Sequence, residues 1–409
     1  SIINNSATGN NGRGGGFRCT TNSDPILVNV LISDNTATQE GGGVFCYNSD
    51  PSFVNVTVSG NVSAIADGGG MFIKSNSDVN LLNTIIGGNE SNEIEFSSVD
   101  DSSTITILYS NIAGGQDSII TNDNGTVIWA DGSLGSDPRF VNPDSSNYHL
   151  LANSLCINAG HPDSLDSDGS VADMGFFPYL NNYSGPDWFV ETTGNDTTGT
   201  GASGSPFASI QSAINFAATD GDSVAVAAGT YVENINFRGR NVKVVGADRE
   251  TTIIDGDQSK RVVSFLYGEN YNAKLESFTI TNGLGGLVIS NSSPTLNRLK
   301  IIGNDAPAHG GGINMFNSSP RISNVLIANN TGYPGGGLNI DQSQPAINNS
   351  NILNNYGSSG ILVHGGSVPA FINSVIGNNQ GDQIYINPGS DSSTVNISYS
   401  NILGGMDDF

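Results

Sequence analysis

The chain has 409 residues, of which 53 are glycine and only 13% are charged, and its formal net charge is −24. This length exceeds that of one ordinary domain, and the negative charge disfavours nucleic acid and direct insertion into anionic membranes. The three cysteines are too few for a disulfide framework, and no apolar run reaches the roughly 18 residues of a membrane-spanning helix.

A step of consecutive glycines recurs along the chain, beginning at Gly14, Gly41 and Gly68 and again at Gly310 and Gly335. After each step the first and third residues are apolar, which is the period of a strand with one buried face. The segments that follow this pattern are Phe17–Thr20, Val44–Tyr47, Met71–Lys74, Ile313–Phe316, Leu338–Asp341 and Ile361–His364. Each repeat is therefore predicted to form one coil of a solenoid whose strands pair in parallel.

Two sets of asparagines follow the turn prolines of the coils. The first set contains Asn29, Asn55, Asn324, Asn349 and Asn373, and the second contains Asn35, Asn61, Asn304, Asn330, Asn355 and Asn379. Asparagine tolerates left-handed backbone, and its amide can bond to the copy in the next coil. We expect the first set to form an internal amide ladder, with Leu27, Phe53, Ile322 and Ile347 stacked inside the coils.

The regular repeat is interrupted in the middle of the chain. Residues 121–180 lose the pattern and predict the closing end of a first solenoid. Ser205 and Pro206 then precede apolar residues at helical spacing, which predicts a short helix capping a second solenoid. We therefore predict the C-terminal part of one β-helix with its cap at 1–180, a linker at 181–186, and the N-terminal cap and coils of a related β-helix at 187–409. Residues 101–111 match residues 391–401, so we expect the natural protein to continue beyond Phe409.

Two groups of motifs resemble those of a known superfamily. The motifs are Gly194–Asp196, Ser205–Ile214 and Ala228–Asn234 near the second solenoid, and Asp137–Pro143, Tyr148–Leu150, Cys156–Gly160 and Ala172–Gly175 near the end of the first. They are similar to the N-terminal cap and the C-terminal signature of bacterial pectate-lyase-like parallel β-helix proteins. The resemblance implies an all-β fold of right-handed parallel β-helix solenoids in tandem, in a large secreted protein with a variable C-terminal anchor. It leaves the activity open, because this solenoid hosts lyases, hydrolases, adhesins and inert stalks.

A candidate ligand-binding row lies on the outward positions of the first solenoid. It contains Arg18, Phe45, Tyr47, Phe72 and Lys74. Flat aromatic rings with a few hydrogen-bond donors on a rigid face suit sugar rings. The alternative is that a neighbouring loop covers these side chains.

A candidate metal site lies in the irregular region. Asp163, Asp166, Asp168 and Asp173 surround Gly169, and oxygen ligands two residues apart before a glycine are typical of calcium loops. The spacing does not fit an EF-hand, and an acidic surface loop is the alternative. Calcium is thus the one ion that the sequence suggests, and no cofactor is required.

Four further side chains have both a structural and a chemical interpretation. Cys19 and Cys46 occupy the same inward position of consecutive coils, which predicts stacked buried thiols, with an inter-coil disulfide as the alternative. His364, like His309, has no evident partner in the sequence and is predicted to be a solvated turn histidine.

These observations favour a non-catalytic extracellular protein at a bacterial cell surface. We find no two acids on adjacent outward positions and assign no catalytic residue. A modular stalk, adhesin or filament component fits the repetition, with glycans or neighbouring copies as partners. The alternative is a carbohydrate-active enzyme, a polysaccharide lyase or hydrolase, whose site lies outside this chain or is hidden in its long loops.

Overall fold

The computed structural model describes residues 1–65, 67–99, 102–387 and 392–404. The chain divides into two compact units, Ser1–Asn182 and Tyr183–Phe409. In each unit, strands of successive coils pair in parallel and in register, so the predicted all-β parallel β-helix is confirmed. Among the described residues, no helix has the length and apolar character needed to cross a membrane.

The described residues of the first unit form three parallel sheets. The largest sheet contains Ile2–Ile3, Ile26–Ser33, Ser52–Ser59, Asp78–Leu82, Ile85–Ile86, Thr104–Leu108, Asn111–Ile112 and Thr126–Trp129. The sheet that follows the glycine steps, called the glycine-step sheet, contains Phe17–Thr20, Val44–Tyr47, Met71–Lys74, Ile94–Phe96 and Ile119–Ile120. The third contains Ser6–Ala7, Thr36–Ala37 and Val62–Ser63. The coils thus continue to Trp129, and the expectation that the pattern ends near residue 121 was wrong.

Three parallel sheets are likewise formed by the part of the second unit that the structure describes. The proline sheet contains Asp187–Val190, Ser223–Val226, Lys243–Gly246, Lys274–Glu276, Thr295–Asn297, Arg321–Ser323, Ala346–Asn348, Ala370–Ile372 and Asn396–Ser398. The ladder sheet contains Gly229–Val232, Thr252–Asp255, Thr279–Thr281, Lys300–Ile302, Leu326–Ala328, Asn351–Leu353, Val375–Gly377 and Asn401–Ile402. The glycine-step sheet contains Ile235–Asn236, Val263–Phe265, Leu287–Ser290, Ile313–Phe316, Leu338–Asp341, Ser359–His364 and Asp382–Ile386.

The interior of each unit is filled by columns of aliphatic and aromatic side chains. Leu27, Phe53, Ile322 and Ile347 are all buried, as predicted. The register of strand pairing produces these columns of side chains, because Leu27 pairs with Phe53 and Ile322 pairs with Ile347 on adjacent strands. Full burial of one such side chain stabilises the fold by about 1.5–3 kcal/mol, so the stacked columns account for much of the driving force.

The internal amide ladder is formed by the second set of asparagines and not by the first. Asn29, Asn324, Asn349 and Asn373 are exposed at corners where the backbone has a positive φ between 49° and 58°. Asn55 donates to Asn29 at 3.1 Å, but this pair lies at the surface. The prediction was therefore wrong in its choice of residues: the first set provides left-handed backbone, and its side chains point away from the core.

The ladder that the structure does contain runs through the buried asparagines one coil apart. In the second unit it passes through Asn304, Asn330, Asn355 and Asn379 to Gln383. Asn330 is completely buried, and its amide donates to Asn355 Oδ1 at 3.1 Å and to the Ile301 carbonyl at 2.8 Å. Its carbonyl accepts the backbone N–H and the amide of Asn304. A second ladder in the first unit passes through Asn5, Asn35, Asn61 and Asn89.

Serine hydroxyls satisfy another buried corner in the same way. In the second unit the backbone N–H of Ser292 bonds to the Ser318 hydroxyl at 3.2 Å, and that of Ser318 bonds to the Ser343 hydroxyl at 3.0 Å. The series continues from Ser343 to Ser367 at 3.0 Å. Because buried backbone groups are costly when they lack partners, these hydroxyls make the tight corners stable inside the protein.

The cap of the second unit is a short helix, Ile210–Phe216, held at both ends by charged side chains. At its start, Glu233 accepts the backbone N–H groups of Ile210 and Gln211 at 2.8 and 3.0 Å. At its end, Arg240 donates to the carbonyls of Ile214 and Asn215. A carboxylate at the positive end and a guanidinium at the negative end both favour a helix that is too short to be stable alone.

Residues 138–177, called the strap, fold back over the outside of the first unit. The strap begins with a hairpin of antiparallel strands, Phe140–Asn142 and Asn147–Leu150. The Tyr148 hydroxyl donates to Asp34 Oδ1 at 2.7 Å, and the backbone N–H of His161 donates to Asn83 Oδ1 at 2.7 Å. Tyr148, Leu150, Cys156, Ile157 and Met174 are buried. The motifs that resembled a C-terminal signature therefore form a covering segment.

The amide ladder gives a stability prediction with a matched control. Replacing Asn330 by leucine leaves the backbone N–H of Asn304 without its acceptor and removes one donor each from the Ile301 carbonyl and from Asn355 Oδ1 inside the protein. We expect Asn330→Leu to lower the free energy of unfolding by at least about 3 kcal/mol. Asn349→Leu should cost only about 1 kcal/mol, the strain of a left-handed backbone without asparagine. Denaturant titration of both variants measures the difference, and equal losses would contradict the assignment of the ladder.

Candidate functional site

The outward row of the first glycine-step sheet is largely covered. Register places Arg18, Phe45, Phe72 and Glu95 side by side on successive strands. The rings of Phe45 and Phe72 are parallel, with centroids 6.2 Å apart, but only 1% and 4% of their surfaces are exposed. The prediction that these two rings lie open on a solvent-facing row was wrong.

Cationic side chains of the same unit cover the rings. The guanidinium carbons of Arg13 and Arg18 lie 5.7 and 5.5 Å from the Phe45 centroid. Lys74 Nζ lies 5.7 Å from the centroids of both Phe45 and Phe72. Each contact is a favourable cation–π interaction, so the positive charges lie against the aromatic faces that a sugar ring would need.

Glu40 fixes the position of these cations. It accepts from Lys74 Nζ at 3.0 Å and forms an ion pair with Arg13. Of the five side chains predicted to bind ligand, Arg18 and Tyr47 remain exposed. The row is therefore an internally neutralised cluster with two exposed members, and its binding role stays a prediction.

Carboxylates border the same cluster. Glu95 accepts the backbone N–H of Gly68 at 3.0 Å and the Asn92 amide at 2.8 Å. Burial raises the pKa of Asp67, and the nearby charges of Glu95 and Glu40 raise it further, whereas Lys74 lowers it. Within the described ranges, no group of three histidine, cysteine, aspartate or glutamate side chains could hold a metal ion.

The predicted calcium loop does not bring its four aspartates around one point. Asp163 projects into solvent, with 94% of its side chain exposed. Asp166 accepts the backbone N–H of Asp173 at 2.8 Å, and Asp168 accepts from the hydroxyl of Ser170 at 2.6 Å and the backbone N–H of Asn181 at 2.8 Å. The oxygens of Asp166 and Asp168 therefore bond to groups of the loop and the segment after it, and calcium binding by this loop stays a prediction.

Asp173 has a structural role at the end of the strap. Its two oxygens accept the backbone N–H groups of Asn158 at 2.7 Å and Tyr179 at 2.6 Å. Burial raises the pKa of the Asp173 carboxyl to about 8, although both hydrogen bonds lower it. This aspartate thus joins three parts of one loop.

Cys19 and Cys46 are directly paired on adjacent strands and are both buried. They are free thiols, so the prediction of stacked buried cysteines is confirmed and no inter-coil disulfide is present between them. Burial and the neighbouring thiol raise the pKa of Cys46, while the same contact lowers the pKa of Cys19.

The second glycine-step sheet carries a polar row that is partly exposed, since Asn339 is buried while His364 and Asp341 are each about a quarter exposed. Asn339 donates its amide to Asn314 Oδ1 at 2.7 Å, and its own Oδ1 lies 3.1 Å from His364 Nε2. On the other side of the ring, His364 Nδ1 lies 3.5 Å from Asp341 Oδ1. The four side chains form a continuous chain of contacts across three coils, called the polar row.

The expectation that His364 lacks a partner was wrong. Asp341 and His364 are paired residues on adjacent strands. The signal was present in the sequence, because both residues stand fourth in the strand after their glycine step. His309 differs: it is exposed in a turn, and its carbonyl accepts from Arg261 at 2.6 Å.

Exposed aromatic rings lie beside the polar row. Phe316 pairs with Asp341 on the adjacent strand. Tyr385 pairs with Leu362, which itself pairs with Asn339 one strand further on. Phe316 is 41% exposed and Tyr385 is 37% exposed. Open rings therefore lie near hydrogen-bonding groups on a rigid sheet, the arrangement that the sequence had placed in the first unit.

A shallow cavity of about 290 Å³ lies elsewhere on the second unit. Its lining includes Tyr333, Tyr356, Thr331 and Gln380. Tyr333 and Tyr356 are both well exposed. Thr331 and Tyr356 are bridged on adjacent coils, so this cavity also places aromatic rings at the spacing of the coils.

Comparison with known proteins supports the fold. The family described as a right handed beta helix region matches residues 251–402, which lie in the second unit. Among solved structures, the A-module of the mannuronan C-5 epimerase AlgE6 of Azotobacter vinelandii is similar, with 11% identity and a TM-score of 0.29. The similarity covers 88% of this chain and 91% of that module. No curated protein matches the chain. The family match indicates right-handed coils, while the structural similarity is too weak to bear on function.

The first glycine-step sheet gives a prediction about its ion pairs. Replacing Glu40 by glutamine removes the charge that Lys74 and Arg13 share in a partly buried setting. We expect Glu40→Gln to lower the free energy of unfolding by about 2 kcal/mol. Glu250 pairs with Lys300 at 2.6 Å but is exposed, so Glu250→Gln should change stability little. Thermal unfolding of both variants tests this, and a larger effect at Glu250 would contradict it.

Proposed function

We propose that the chain is a non-catalytic extracellular surface protein, a modular stalk, adhesin or filament component, that binds glycans on its second glycine-step sheet. The supporting observation is the polar row of Asn314, Asn339, His364 and Asp341 beside the exposed rings of Phe316 and Tyr385. Aromatic faces stack on the C–H faces of sugars, and amide, imidazole and carboxylate groups bond to hydroxyls.

The charge of the chain favours neutral glycans. A formal net charge of −24 repels polyuronates and other acidic polymers at low salt. The polar row also offers acceptors as well as donors, which suits hydroxyl groups better than carboxylates. A bacterial cell surface, as implied by the cap motifs, is the setting in which neutral glycans and neighbouring copies are the available partners.

The competing function is a carbohydrate-active enzyme. One contact favours it: an aspartate beside a histidine is an arrangement that can orient the ring for proton transfer. His364 and Asp341 are each about a quarter exposed, so a substrate could reach them. Against this reading, the part of the polar row that is described has no lysine or arginine and no second carboxylate beside Asp341.

The binding proposal predicts the effect of removing one ring. We expect Phe316→Ala and Tyr385→Ala each to weaken the binding of a neutral oligosaccharide by about tenfold, equivalent to about 1.4 kcal/mol. Tyr267→Ala is the control, because Tyr267 is 60% exposed but lies outside the polar row. Titration against a panel of neutral and acidic oligosaccharides measures the affinities, and equal losses in all three variants would contradict the site.

The choice between binding and turnover needs its own measurement. Release of reducing ends or unsaturated sugars from the bound glycan should be absent in the native chain and in His364→Ala alike. Turnover that His364→Ala abolishes would establish the enzyme and refute the non-catalytic proposal.

A further inference from the structure

The strap in the first unit covers one outward row of the largest sheet. Register places Leu31, Thr57 and Ile85 side by side on successive coils, between residues that point into the core. Despite pointing outward, all three are buried. A side chain on Gly175 of the strap would lie 2.8 Å from both Ile85 Cδ1 and Thr57 Oγ1, so the strap backbone lies directly on this row.

Polar contacts fix the strap on the same face. The backbone N–H of Gly175 donates to the Asn83 carbonyl at 2.7 Å, and that of Phe176 donates to Thr57 Oγ1 at 2.9 Å. The ring of His161 lies against Tyr109, with centroids 4.9 Å apart. The face thus recognises the strap through a corner asparagine, a corner tyrosine and an outward apolar row.

The second unit contains the same face. Residues 101–111 and 391–401 match in sequence, which aligns Tyr109 with Tyr399 and Asn111 with Asn401. Asn111 pairs with Ile85, and Asn401 pairs with Val375. One coil further, Ile85 pairs with Thr57 and Val375 with Asn351.

The corner residues correspond as well. Asn83 and Asn373 each precede the outward residue by two positions, and both have a φ of 49°. Asp34, which receives the Tyr148 hydroxyl, corresponds to Asn329, and these two have φ values of 56° and 54°. The amide of Asn329 can accept from a hydroxyl as a carboxylate does.

In the second unit no segment among the described residues covers this face. Val375 is 40% exposed where Ile85 is fully buried, and Tyr399 is 88% exposed where Tyr109 contacts His161. Asn351 and Asn373 are exposed, whereas Thr57 and Asn83 are buried. The difference lies in the covering segment, because the backbone beneath it is the same.

We propose that this face of the ladder sheet, formed by Leu326, Asn329, Asn351, Asn373, Val375 and Tyr399, is a docking surface for a segment with the chemistry of the strap. The occupant presents backbone N–H groups to Asn373 and a glycine beside Val375. It also places an aromatic hydroxyl near Asn329 and a planar ring on Tyr399. Docking buries the outward apolar residues that the second unit leaves in water.

Thiol labelling tests the surface directly. Val375→Cys places a reactive group on the face, and Ile372→Cys is the matched control, since Ile372 is 38% exposed on the proline sheet. The native cysteines are buried and react slowly. The probe is a synthetic peptide of residues 138–177 carrying Cys156→Ser. At saturating peptide we expect maleimide to label Val375→Cys at least tenfold more slowly and Ile372→Cys at an unchanged rate.

A second version of the labelling experiment uses a covalently attached segment, so that the segment does not have to fold as a free peptide. Here residues 120–177, with Cys156→Ser, are repeated after Phe409 in the Val375→Cys chain. Protection of Val375→Cys in either arm supports the proposal. Unchanged labelling in both arms overturns it, as does equal slowing at Ile372→Cys. Protection that rises with chain concentration alone would assign the face to a second copy and overturn it too.

Discussion

The structure depends on one interaction above all, the hydrogen bond between stacked asparagines inside each corner. The side chain of Asn330 makes four hydrogen bonds, two as donor and two as acceptor; three of them join it to asparagines one coil away, and each partner is itself buried. No water is needed to satisfy these groups, so the corner can be tight and dry. Because Asn304, Asn330 and Asn355 each bond to the coil before and the coil after, the position of one coil fixes the register of the next. Variation in coil length is thereby confined to turns away from the ladder.

Register then determines which surface residues become neighbours. Asp341 and His364 belong to different coils and are distant in sequence, yet strand pairing places them side by side. The same rule stacks Phe45 on Phe72 and Cys19 beside Cys46. A β-helix surface is therefore a set of rows, and a site on it is built from one residue of each coil. This explains why the candidate glycan site is a row and not a deep pocket.

The fold could be predicted well from the sequence because its signals are periodic. The apolar alternation after each glycine step identified the strands, and Leu27, Phe53, Ile322 and Ile347 lie in the core as expected. The two asparagine sets could not be distinguished, because both roles use the same residue, and it is backbone φ and burial that separate Asn349 from Asn330. The sequence left the burial of Phe45 open, because part of its cover comes from Arg13, which precedes the glycine step. Strand parity predicts which way a side chain points, but not what folds over it.

The two units show that an outward position acquires its environment from the segment that crosses it. Ile85 and Val375 occupy the same place on equivalent strands, yet one is buried and the other is exposed. The residue types do not explain this difference, because isoleucine and valine are both apolar and β-branched. An apolar, β-branched residue on a water-facing strand stabilises the sheet less than it would under a cover. That the second unit keeps such a residue at Val375, with Tyr399 beside it, argues that the face is shaped for contact and not for solvent.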